Sequence, residues 1–127
     1  PMSEAFIAVA LGDSDLAREA YEKLKEAPDI ISIMQSVSRA KGLLARMIGK
    51  NKEARDHFQE AIEFCETKGM KPELAWSYSD MSELVEDVDG DLTASQQFVE
   101  KALTIANDIG MKPLTNRILA RRDILKA

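Results

Sequence analysis

The tetrapeptide Gly69-Met70-Lys71-Pro72 returns as Gly110-Met111-Lys112-Pro113, an offset of 41 residues. Its outer residues both break helices, glycine through backbone freedom and proline through a missing N–H and a ring clash. A helix-breaking tetrapeptide repeated at one offset divides a chain into like units, and few folds satisfy that constraint. The same offset carries Gly49 to Gly90, Ala61 to Ala102, Ile62 to Leu103 and Phe64 to Ile105. An earlier offset of 37 carries Gly12 to Gly49, Ala17 to Ala54, Arg18 to Arg55 and Tyr21 to Phe58. The unit is therefore a helix pair of 37–41 residues, repeated three times with one helix left over.

Between the breakers the apolar residues follow helical spacing, with almost no strand alternation. Seven helices are predicted, over residues 2–11, 13–27, 29–48, 51–68, 72–88, 91–109 and 113–126. Asp13 or Ser14 suits the cap of the second helix, and Asp29 is acidic in the first turn of the third. Pro72 and Pro113 suit a first helical position, where no donor is needed. Gly69 and Gly110 suit the left-handed residue that ends a helix.

These residues resemble the tetratricopeptide repeat, whose second helix follows its turn glycine with a small residue, an aromatic and another small residue. Gly49, Ala54, Phe58 and Ala61 match that pattern, with Gly42 at the small position of the first helix. Gly12, Ala17 and Tyr21 match in the first unit, where Leu24 replaces the last small residue. Gly90, Ser95, Val99 and Ala102 match loosely in the third, where Glu83 stands at the small position. The resemblance implies an all-α superhelix of three helix pairs and a C-terminal capping helix. Its units would span residues 2–28, 29–71 and 72–112, with the cap at 113–126. The stretch from Ala102 to Arg122 also resembles the tail of bacterial signalling regulators, in which helical repeats follow an ATPase core and sometimes a cyclase domain.

Each helix pair exposes apolar residues on two sides and needs a neighbour on both. Ile33, Val37, Ala40, Leu44 and Met47 form a core stripe in the third helix, and Phe58, Ile62 and Cys65 one in the fourth. Ala54 and Ala61 let neighbouring helices approach closely. Cys65 reads as a small buried hydrophobe. In the last helix, Leu114, Ile118 and Leu125 would cover the end of the stack. Arg117, Arg121, Arg122 and Lys126 would form its polar outer face.

Several functions find no support in these residues. Asp87-Val88-Asp89-Gly90-Asp91 suggests a calcium loop, but Gly90 at position six puts Val85 and Gln96 at the two anchor positions, where carboxylates belong. It reads as a solvated acidic turn. His57 is the one histidine, too few for a di-iron bundle or a zinc site, and is expected to be an exposed polar residue. No phosphate loop or triad stands out, so neither enzymatic activity nor a cofactor is expected. A net charge of −5 argues against general nucleic-acid or membrane-surface binding. No apolar run reaches the length of a spanning helix, and no leader pattern is present. With a single cysteine, a reducing cytoplasmic setting is expected.

The remaining candidate is a groove lined by the first helix of each pair, where the tetratricopeptide family holds peptides. Gln35, Arg39, Gly42 and Arg46 form a non-core stripe on one such helix. Glu73, Trp76, Asp80, Glu83 and Asp87 form one on the next. The 41-residue offset sets Gln35 beside Trp76, Arg39 beside Asp80 and Arg46 beside Asp87. These pairs either satisfy one another internally or line a polar channel with Trp76 as its apolar anchor. The expected partner-binding residues are Gln35, Arg39, Arg46, Trp76, Asp80 and Glu83. Residues 73–100 contain no base, which is unlike the carboxylate clamps of chaperone adaptors. A basic or mixed-charge protein segment suits this surface better. The alternative is a regulatory tail of a larger signalling ATPase or cyclase-like protein, docking on its own upstream domains or self-associating.

Overall fold

A computed structural model describes the backbone of residues 2–28, 31–32 and 35–126, and the side chains of 4–28 and 36–122. Among the described residues the fold is all-α, with seven helices. They are α1 (Met2–Leu11), α2 (Ser14–Leu24), α3 (Val37–Met47), α4 (Asn51–Lys68), α5 (Lys71–Asp89), α6 (Leu92–Ile109) and α7 (Lys112–Lys126). None of them is long and apolar enough to cross a membrane.

Local chemistry sets the helix ends. The Asp13 carboxylate accepts hydrogen bonds from the N–H groups of Asp15 and Leu16, capping α2. Gly69 and Gly110 close α4 and α6 with φ of 68° and 75°, the left-handed region expected of them. Pro72 and Pro113 occupy the second helical position, one residue later than predicted, because Lys71 and Lys112 already take up helical geometry.

The predicted helix over 29–48 is corrected. It starts only at Val37, after a short antiparallel hairpin of β1 (Ile31–Ser32) and β2 (Gln35–Ser36), in register Ile31 to Ser36 and Ser32 to Gln35. The cause is legible in the chain. Ile30, Ile31 and Ile33 are β-branched and stiff, and the intervening serine competes for backbone groups. Ser36 then acts as the helix cap, its Oγ accepting from the N–H of Arg39 at 3.4 Å. Asp29 and the side chain of Ile33, both assigned above to this helix, lie outside the described residues, as do the side chains of Leu125 and Lys126.

Consecutive helices pack on one another from α1 through α7, and α3 also touches α1 and α5. The core runs the length of this succession. Ala17, Ala20, Ala54, Ala61, Ala102 and Ala106 are buried at the close helix approaches, and Val37, Ala40 and Leu44 of the predicted stripe are buried with them. Gly42 shows how tight the approach is. A Cβ placed there would lie 2.5 Å from the Phe58 ring, which is itself wholly buried. Cys65 is wholly buried, as expected. Leu114 and Ile118 of α7 are buried against the preceding helices.

Candidate functional site

On α5, Glu73, Trp76, Asp80, Glu83 and Asp87 recur at alternating intervals of three and four, which places them on one helix face. α3 lies on one side of that face and α7 on the other. Asp80 receives the Arg39 Nε at 2.6 Å, and Glu73 receives the Arg39 Nη1 at 3.5 Å. All three side chains are nearly or wholly buried. The Glu73 carboxylate also accepts the backbone N–H of Ser36 at 3.0 Å, fastening the start of α3 to α5. Arg39 further stacks over the Trp76 ring, 5.3 Å from its centroid, and stands 6.0 Å from that of Phe6.

Burial raises the pKa of Glu73 and of Asp80, and the Arg39 charge opposes that rise at both. Burial acts on Arg39 in the lowering direction, but the two carboxylates outweigh it and hold the guanidinium charged.

Toward the other end of α5 the row becomes half-exposed. Arg46 of α3 lies 3.8 Å from Glu83 and pairs with Asp87. From the α7 side, Arg117 grips Glu83 with two bonds of 3.2 and 3.1 Å. Arg121 bonds Glu86 and Asp87, each at 2.7 Å. Glu83 thus sits among three arginines. Arg117 and Arg121, predicted to form an outer polar face, instead turn toward α5. The reason is the excess of carboxylates there, since residues 73–100 supply no base of their own.

Comparison with protein-family models, with curated proteins and with solved structures finds no match. The reading of this surface therefore rests on the residues themselves.

Arg39 and Asp80, and Arg46 and Asp87, are joined as the 41-residue offset sets them. The side chain of Gln35 lies outside the described residues, so its pairing with Trp76 is not among these contacts. A second offset also joins residues of this row. Arg39 to Glu73, Glu83 to Arg117 and Asp87 to Arg121 are each 34 residues apart, as is the exposed pair of Arg55 with Asp89. Thirty-four is 41 less seven, about two helical turns, so both offsets bring residues onto the same facing stripe.

His57 is not the exposed residue expected of it. It is half-buried, with its Nε2 3.0 Å from the Tyr21 hydroxyl and its Nδ1 buried without a partner. Burial lowers its pKa, the Lys41 charge adds to that, and Glu60, Asp56 and Glu53 oppose it. The signal was the offset of 36 between two polar aromatics, close to the unit length but pairing different faces.

Proposed function

We propose that this chain is a non-enzymatic protein–protein interaction module of tetratricopeptide-like helix pairs, working in a reducing cytoplasmic setting. Its binding face is the row on α3, α5 and α7. One observation carries the reading: the row is rigid at one end and open at the other. The buried Arg39–Asp80–Glu73 cluster holds the helices in register and orients Trp76. At the open end the side chains of Asp87 and Arg117 remain 43% and 55% exposed. Exchanging a solvated internal ion pair for one with a partner costs little, so a mixed-charge segment can be read there and anchored on Trp76. Arg39, Asp80 and Glu83 then shape and hold the face, and Arg46 and Trp76 meet the partner.

The test is a peptide array probed with the purified chain, repeated with Trp76→Ala and Arg46→Glu. Loss of about tenfold or more in affinity for the same peptides supports the assignment. Binding unchanged in both variants refutes it.

One observation favours the second reading, a regulatory tail of a larger signalling protein. From Ala5 to Leu11 helix α1 is apolar on every side, and Ile7 and Leu11 are 52% and 69% exposed. Helices of that kind are normally covered on all faces. Docking on upstream domains, or self-association, would cover this one. Sedimentation of the chain beside Ile7→Asp/Leu11→Asp separates the cases, since only self-association gives a mass that the double variant lowers.

A further inference from the structure

We infer that the cleft among α5, α6 and α7 is a binding site for a small organic monoanion with an apolar body, a role beyond that of the interaction face, with which the cleft shares Glu83 and Arg121. The cleft follows from one change in the repeat. In the first two units an aromatic ring, Tyr21 and then Phe58, is buried in the second helix. The 41-residue offset from Phe58 arrives at Val99, which has no ring to fill the space. What remains is a half-enclosed cleft of about 250 Å³ walled by Val99, Leu92 and Ile118.

Two hydroxyls face this space without a protein partner. Ser79 is 2% exposed and Ser95 6%, yet neither Oγ makes a hydrogen bond among the described residues, and both line the cleft. Neither oxygen is sealed off, since among the described residues the one buried side-chain atom without a partner is the His57 Nδ1; both reach the cleft, where a ligand's polar atom can take the place of water. The charges on the walls are unequal in the same sense. Glu83 and Glu86 are matched by Arg117 and Arg121. Arg122, half-buried on the same wall, makes no ion pair among the described residues.

An occupant must then bring one negative charge for Arg122, an apolar body for Leu92, Val99 and Ile118, and a polar atom for the serine hydroxyls. A carboxylate on a short branched chain has that composition. At about 30 Å³ for each water, the space holds about eight waters, which limits the ligand to roughly that many heavy atoms.

The test uses the isotope-labelled 127-residue chain in amide chemical-shift titrations with three probes. These are 4-methylpentanoate, the isosteric neutral 4-methylpentanamide, and acetate, which has the charge without the body. Saturable shifts at Ser79, Ser95 and Val99 are expected with 4-methylpentanoate, and binding about tenfold weaker or less for the other two. Arg122→Gln strands no partner, so it folds; about a tenfold weakening is expected in it. Val99→Phe restores the ring of the other units and is expected to abolish the shifts; should it misfold by circular dichroism, Arg122→Gln decides alone. The inference is overturned by no saturable response up to about 20 mM. An equal response to all three probes, or binding undiminished in Arg122→Gln, overturns it too.

Discussion

Arg39 and Asp80 stand 41 residues apart in the chain, and the Nε of one lies 2.6 Å from the Oδ2 of the other, with both side chains almost excluded from water. Removing Arg39 leaves Asp80 as a buried charge stripped of its guanidinium, whereas Arg39 without Asp80 keeps only the longer contact to Glu73. Arg39→Ala is expected to destabilise the fold by about 3–5 kcal/mol in urea denaturation. Arg39→Met with Asp80→Leu removes both charges and should recover much of that loss. The recovery stays partial, because Glu73 also leans on Arg39. A double variant no more stable than Arg39→Ala would contradict this account.

Gly42→Ala tests the close approach of α3 to α4. In an exposed helix the change gains about 1 kcal/mol. Here the added methyl meets a buried ring at 2.5 Å. The net outcome expected is a loss of about 1–3 kcal/mol by chemical denaturation. Pairing it with Phe58→Leu should make the two changes non-additive, since both act on one contact.

The two copies of the repeated tetrapeptide should respond alike. Gly69 and Gly110 have positive φ and open space where a Cβ would stand, so only backbone strain opposes a side chain. Alanine at either position is expected to cost about 1–2 kcal/mol, and by similar amounts. Melting temperatures of the two single variants check this.

His57 should make stability depend on pH. Its folded pKa is lowered, chiefly by burial, so the unfolded chain binds more protons below the ordinary histidine value of about 6.5. Its contribution is complete above that value and is lost as pH falls from there through the lowered folded pKa, with a slope of at most about 1.4 kcal/mol per pH unit. Between pH 7 and 5 the melting temperature of the native chain should therefore fall more steeply than that of His57→Gln. Parallel curves would exclude the effect.

Tyr78 should ionise late. Burial and its hydrogen bond to Glu66 push its pKa up to about 12, and burial raises Tyr21 as well. Ultraviolet titration of the folded chain should show the Tyr78 step near pH 12 and less tyrosinate at pH 10 than free tyrosine, which is half ionised there. Half ionisation at pH 10 would refute it. In Glu66→Gln the Tyr78 transition should move down.

The sequence by itself determined the helix count, the punctuation and the spacing of the polar row. Those are properties of local chemistry and of period. A glycine that permits left-handed backbone, a proline at a helix start and apolar residues at intervals of three and four act through the nearest turn. Two copies at one offset made Arg39 face Asp80 and Arg46 face Asp87 legible before any coordinates. Only the tertiary structure decided what lay beyond one turn or one offset. Glu73, 37 residues on, takes the N–H of Ser36 in a buried site and so fastens the start of α3 to α5. Arg117 and Arg121 turn inward because α5 gathers carboxylates that no residue of its own helix balances. His57 is half-buried because Tyr21 of another helix stands against it. Each depends on which helix faces are pressed together, and periodicity marks a face as polar or apolar without saying what will cover it.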